Sequence, residues 1–533
     1  MDETFVALDK EWRNTCKILF RQDVGSLAEF ASWLSENIEP IARNKSSLSE
    51  KEVISGPTEY APNSKWLSFD EVDLGKKFEP LGINEIKDVD SVLQAISERA
   101  YYSGNIWFGK SSHIEKSSNL NDSHYVYNCT RNGNSKYIAY CTIGRGDDNV
   151  YGSVAVTESA FCIKCDRGLR IKRSFELWYS QNSSDCYYSS GLEGCSDCLF
   201  SFNVQSKRNC IGNLGLEKSK YLAVKNKLLE EIAQRVEKEK RLPSLLDIVK
   251  KSVPAELEKT LGIASRQEAE KTDSSKIDEA FRQTTQLLFG KGLAGSVDDY
   301  GKWLSRHIRN VEECKSAADG RKLLLATYAN YQKLPKNRLL GLAEAQKLGD
   351  RSSLDEKEAI GIRLENAYEV IGKIAYFNVE LLEGANTNLK DCVISVDCAN
   401  CYKSSATVYS KYIGYTFWPR SCSYLFGCDS PFDSNHCINI YSCTQQTRCF
   451  EIDCCGYCSD LYFGHNCENV HDSMFCFNVK NVRNAIGNGV LPADKYKQVK
   501  SALLSQIVGE LEKKKDLKWD IYNVVALANA RKK

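Results

Sequence analysis

The stretch Cys437-Ile438-Asn439-Ile440-Tyr441-Ser442-Cys443-Thr444-Gln445-Gln446-Thr447-Arg448-Cys449-Phe450-Glu451-Ile452-Asp453-Cys454-Cys455-Gly456-Tyr457-Cys458 decides the fold. Cys437, Ile440, Cys443, Cys449, Ile452, Cys455 and Cys458 fall on one frame of three. Every cysteine from Cys392 to Cys476 keeps that frame except Cys454, and an earlier block, Cys129 to Cys210, keeps it too. From 111 to 213 and from 386 to 488 no Phe, Tyr or Trp enters the frame. The aromatic residues sit beside it, as in Phe161, Tyr187, Phe450 and Phe475. A period of three fits neither a helix at about 3.6 residues per turn nor a plain strand at about 2. It fits a tight parallel β-solenoid, where short extended pieces alternate with regular corners around a narrow interior. Cysteine serves there as a small, readily buried apolar residue. Serine and asparagine are expected as corner ladders. Toward the end a nine-residue unit is read, in Cys455/Cys458/Leu461, Gly464/Cys467/Val470 and Ser473/Cys476/Val479.

The two blocks belong to a tandem duplication. Phe202-Asn203-Val204 returns as Phe477-Asn478-Val479, and Arg208-Asn209-Cys210-Ile211-Gly212-Asn213 as Arg483-Asn484-Ala485-Ile486-Gly487-Asn488. Trp33-Leu34-Ser35 returns as Trp303-Leu304-Ser305. The expected fold class is α+β, each half a helical region, a solenoid and a capping helix. The boundaries are a helical region at 1–100, a solenoid at 101–215 and a capping helix at 216–264. A charged linker follows at 265–276, then a helical region at 277–375, a solenoid at 376–488 and a capping helix at 489–533. Leu228, Leu229, Ile232 and Val236, then Leu503, Leu504, Ile507 and Leu511, mark the apolar stripes of the capping helices. Pro243 ends the first. The helical regions are expected to dock on their counterparts, as in a fused dimer.

Four CxxC pairs occur: Cys162/Cys165, Cys195/Cys198, Cys398/Cys401 and Cys455/Cys458. Two pairs per half are what a four-thiolate zinc site needs. The frame of three, however, generates CxxC wherever neighbouring slots are both cysteine, and the pairs do not correspond between halves. Structural ladder residues are therefore the expectation, with no metal and no cofactor; zinc, if bound, is assigned to those eight cysteines. Asp147-Asp148 reads as a surface turn rather than a catalytic pair. His124, His436, His465 and His471 read as corner or surface residues. Lys164, Arg167, Arg170, Lys172 and Arg173 form one basic cluster, read as a solvated face.

The chain has 533 residues and 71 basic against 70 acidic side chains, a net charge of +1. That balance argues against electrostatic nucleic-acid binding as its main task. No apolar run approaches the ~20 residues of a membrane span, and Met1-Asp2-Glu3-Thr4 is no signal peptide. A cytoplasmic location, or a particle assembled in the cytoplasm, is expected, with thiols reduced despite 23 cysteines. No GxSxG, HExxH or GxxxxGK[ST] motif occurs, so no enzymatic activity is expected.

The block endings carry a resemblance. Cys198-Leu199-Phe200-Ser201-Phe202-Asn203, then Gly215-Leu216-Glu217-Lys218-Ser219-Lys220-Tyr221, then Asn226-Lys227 before a charged helix, resemble uncharacterised Cys/aromatic-repeat proteins. Such proteins occur in candidate-phyla bacteria, small-genome archaea and marine tailed phages. The second half keeps Lys495-Tyr496 but lacks the Asn-Lys pair. The resemblance covers roughly the two blocks and their caps. Some phage members resemble virion structural proteins, which implies an assembly role. The expected function is a non-enzymatic, duplicated rigid scaffold, joined to other proteins of a multi-subunit particle through its helical regions. The alternatives are a zinc-bearing nucleic-acid or protein-binding module and a carbohydrate-active solenoid enzyme.

Overall fold

A computed structural model describes residues 3–82, 86–257, 261 and 274–530. Both Cys-rich blocks are parallel β-solenoids. In the first, Lys136 pairs Asp148, Asp148 pairs Ala160 and Ala160 pairs Lys172, so one turn takes twelve residues. Lys411, Ser423 and Asn435 set the same register in the second. Each turn has four sides of three residues. From His113 and from Asn388 onward the residue before each in-frame position is left-handed, as at Tyr137, Tyr140, Ile143, Glu451, Cys454 and Tyr457. This conformation bends the chain at each corner, and the asparagines at many corners tolerate it best among non-glycine residues.

The in-frame residue points inward, so four side chains meet on each turn. Ser434, Cys437, Ile440 and Cys443 are one such set, all buried. One large apolar residue per turn is the rule in the second solenoid, through Leu425, Ile440, Ile452 and Leu461, and small residues fill the remainder. At Gly168 a Cβ would meet Cδ1 of Ile171 at 2.4 Å; the missing side chain gives that isoleucine its space.

Interior serines and cysteines also bond the turns together. Ser117 Oγ donates to the carbonyl of Glu115 and accepts the amide N–H of Cys129 in the next turn. Cys443 Sγ donates to Tyr441 and accepts from Cys455 N–H. The nine-residue unit is no structural repeat, since the turn takes twelve residues there. Its spacing has another meaning: an interior thiol reaches the carbonyl nine residues on, as Cys455 to Gly464 and Cys458 to Cys467. The frame fails before 111 and 386 for a like reason. The first turns pair Trp107 with Leu120 and Leu382 with Ser395, thirteen apart.

The last turns close in the same way. Asn213 Oδ1 accepts from Phe202 N–H and its amide donates back to Phe202 O; Asn488 repeats this with Phe477. Helices Lys218–Glu239 and Ala493–Lys514 follow, ending at left-handed Lys240 and Lys515. The first helix therefore stops before Pro243. Helices Glu3–Phe20 and Ser275–Phe289 lie on the matching solenoid wall. Phe20 packs edge-on to Phe175 and Phe289 to Phe450, each at 5.1 Å. Tyr187 donates to Leu19 O and Tyr462 to Leu288 O. Of the linker expected at 265–276, residues 265–273 lie outside the described residues, and Ser275 already begins a helix.

The chain divides into two compact units, and neither is one half of the sequence. The first comprises residues 1–41, 107–268 and 313–380; the second comprises 42–106, 269–312 and 381–533. Each unit thus takes its middle segment from the opposite half. Residues 1–100 are also less helical than expected. Strands Ala42–Lys45 and Glu52–Ser55 form a hairpin, and Trp66–Ser68 pairs Tyr102–Gly104. In the other segment Leu339–Leu340 pairs Phe377–Asn378 before helix Leu342–Arg351.

Candidate functional site

The eight cysteines of the CxxC pairs all point into the solenoid interiors. Cys162 and Cys165 stand on neighbouring sides of one turn, and their thiols donate to the carbonyls of Ala160 and Ile163. Cys195 and Cys198 donate to Glu193 and Ser196, Cys398 and Cys401 to Val396 and Ala399, and Cys455 and Cys458 to Asp453 and Gly456. Burial pushes the Cys165 and Cys455 thiols well up, whereas hydrogen bonds from Cys198 and Cys401 draw Cys195 down to about 7 and Cys398 down to about 6. A thiol that donates to a backbone carbonyl, as Cys165 and Cys455 do, is not a metal-ligating thiolate. Among the described residues, no three Cys, His, Asp or Glu side chains come together to hold a metal ion.

Three expectations about charged residues are corrected. Asp147 is not on a surface turn. It is an interior rung, accepting Ser159 N–H as a serine would, and burial holds its carboxyl well above the usual range. Only Asp148 faces outward, 3.2 Å from Lys136. The basic cluster is not one patch, because Lys164, Arg167, Arg170 and Arg173 fall three apart and go to four different corners; Lys172 is exposed beside Arg173. Lys164 is buried, donating to Trp33 O; Arg167 Nε donates to Tyr328 Oη; Arg170 pairs Glu158 and Arg173 pairs Asp185. His465 is wholly buried. His113 and His436 sit in corner ladders, stacked as His113–Tyr125–Tyr137 and Tyr412–Tyr424–His436, while the Nδ1 atoms of His124 and His471 meet the hydroxyls of Ser112 and Ser459 one turn earlier. In those ladders each ring covers the next, so few faces are left for a base or a sugar.

The densest polar chemistry lies where a middle segment meets a solenoid wall. In the second unit Asp453, His465 and Asn478 line consecutive turns of one wall. Tyr60 Oη donates to Asp453. His465 Nδ1 lies 3.1 Å from Asp453 Oδ2, and Ser103 N–H donates to His465 Nε2 at 2.8 Å. The protonated nitrogen is therefore Nδ1. Asp, His and Ser are the residue types of a hydrolytic triad, but Ser103 Oγ is turned away and donates to Asn478 at 2.5 Å. With Asp453 and His465 wholly buried, the group works as a latch. Asn478 completes it by donating to Tyr101 O.

The first unit has a latch of other residues. Asn330 donates to Asp166, and Arg167 lies between Tyr328 and Tyr331. Burial pushes the Asp166 carboxyl up to about 7. Asn203 donates to Tyr376 O as Asn478 does to Tyr101.

Two buried carboxylates escaped the sequence reading. Glu176 and Glu451 occupy the same corner 275 residues apart, both buried. Glu176 accepts from Leu245 N–H and Trp178 Nε1; Glu451 accepts from Ile521 N–H and Asn439 Nδ2. Each ties the solenoid to the chain beyond its closing helix. Burial pushes them up to about 7 and about 8. Their signal was a Glu repeated at the duplication offset beside aromatic residues. No family model, curated protein or solved structure matches this chain.

Proposed function

We propose that this protein is a non-enzymatic scaffold, two rigid solenoids that hold elements in place within a larger protein assembly. The observation that supports this is where the reactive side chains go. Asp453, His465, Asp166, Arg167, Glu176 and Glu451 each close a contact between a solenoid and an element packed on it. The interior thiols bond one turn to the next. Exposed corners pair along the column, as in Arg448–Asp460 and Asn469–Asn481. Chemistry spent this way gives stiffness. Among the described residues no helix is long and apolar enough to cross a membrane.

The test is native mass spectrometry of the full chain, isolated gently from the cells that make it. A defined complex with fixed stoichiometry is expected. A chain found alone at its own mass in every fraction counts against a scaffold.

A further inference from the structure

The two docking walls began as copies and no longer match. We propose that each middle segment recognises only the solenoid of the opposite half, so that the two halves are a matched and non-interchangeable pair. Residues 42–106 fit the second solenoid and residues 313–380 fit the first.

Both walls share an anchor. Asn203 donates to Tyr376 O and Asn478 to Tyr101 O, each at 2.8 Å, so the segments enter in the same register. Above the anchor the walls diverge. At the 275-residue offset Asp166 becomes Tyr441, Arg167 becomes Ser442, Trp178 becomes Asp453 and Ser190 becomes His465. The walls beneath the helices keep their chemistry instead. Arg173, Asp185 and Asp197 return as Arg448, Asp460 and Asp472, with Glu176 as Glu451 and Tyr187 as Tyr462. Divergence at the docking wall beside a preserved cap changes partner choice and leaves the solenoid intact.

The divergence penalises the wrong pairing in both directions. On the first solenoid, Tyr60 would meet Trp178 in place of a carboxylate, and Ser103 N–H would find Ser190 in place of an imidazole. Asp166 and Arg167 would lose Asn330 and Tyr328. On the second solenoid, Asp453 and His465 would lose Tyr60 and Ser103. Asp166, Asp453 and His465 are buried and Arg167 partly so, and a buried polar group left without its partner is disfavoured far more than a paired one is favoured. Specificity then comes from what the wrong partner lacks.

The experiment uses the full chain with a specific protease site inserted after Glu268. After cleavage the two fragments should stay together on dilution. The cut protein is then unfolded and refolded, and native mass spectrometry counts the pairings. Only the pair of unlike fragments should form. A random mixture, with each fragment also paired to itself, overturns the proposal, and so does separation of the fragments before unfolding. Where refolding fails, residues 1–268 and 269–533 are co-expressed as separate chains carrying different tags. Unlike halves should co-purify and like halves should not. Self-pairing there, or halves that never associate, would refute it equally.

Discussion

At an interior rung a cysteine fills space and carries two hydrogen bonds. Cys443 shows both roles. Its thiol donates to Tyr441 O at 3.1 Å and accepts from Cys455 N–H at 3.3 Å, in a core with Ile440 and Ile452. If volume alone mattered, alanine would be tolerated better than serine, because serine brings a hydroxyl into an apolar core. If the ladder matters, the order reverses. Serine keeps both bonds, as Ser153 does in donating to Tyr151 and accepting from Cys165. Alanine leaves the Cys455 amide without a partner, while the Tyr441 carbonyl keeps only the N–H of Cys454. We expect Cys443→Ala to cost about 2 kcal/mol and Cys443→Ser about 1 kcal/mol or less. Denaturant unfolding of both variants decides the order, and a less stable serine variant would reject the ladder. The frame of cysteines was legible in the sequence for the same physical reason: a narrow interior admits small side chains and excludes rings. Asp147 was misread because it was taken with its neighbour Asp148. Its in-frame position already placed it inside.

The solenoid turn tests register directly. One residue inserted between Gln445 and Gln446 would throw every later rung out of the interior, and the ladders on both sides would lose their partners. The first turn differs, since it already carries an extra residue at its open edge, where Leu382 pairs Ser395. An insertion after Gly384 disturbs one turn; the interior insertion disturbs the stack. We expect the edge insertion to cost about 1–3 kcal/mol and to leave a single cooperative melt. We expect the interior insertion to abolish that melt. Calorimetry of both chains makes the comparison, and equal effects would show that the turns do not act as one stack. The period of three was visible because corners recur every three residues. The number of sides was not, because a frame of three is the same for three, four or five sides. Only the pairing of residues twelve apart fixes four. The CxxC pairs were seen, but their role was set by carbonyls that no sequence pattern displays.

On the scale of the molecule, duplication was plain in the repeated motifs while the exchange of middle segments was not. A repeat says which residues are equivalent. It does not say on which of two similar walls a segment lands, and that choice rests on single residues such as Asp453, His465, Asp166 and Arg167. A buried carboxylate on the preserved wall, Glu451, gives the solenoid a measurable pH dependence. Burial, with Asp520 adding to it, pushes the Glu451 carboxyl up to about 8, while Asn439, Ile521 N–H and Arg306 draw it back. A raised pKa means that the folded state favours the neutral acid. The stability it contributes is full below about pH 4.5, the unfolded value, and is lost as pH rises through about 8. Glutamine removes the titration and keeps the contacts. Its carbonyl can accept from Ile521 N–H. Asn439, whose Oδ1 is unpartnered, can turn its amide over to accept the new N–H₂. Glu451→Gln should therefore match the parent chain near pH 4.5 and exceed it increasingly toward pH 9, by about 2–4 kcal/mol. Unfolding free energies across that range measure the difference directly, and other carboxylates cancel in it. A variant whose advantage stays constant with pH would mean that Glu451 is already ionised in the folded chain. Its contact with Ile521 would then be an ordinary charged hydrogen bond.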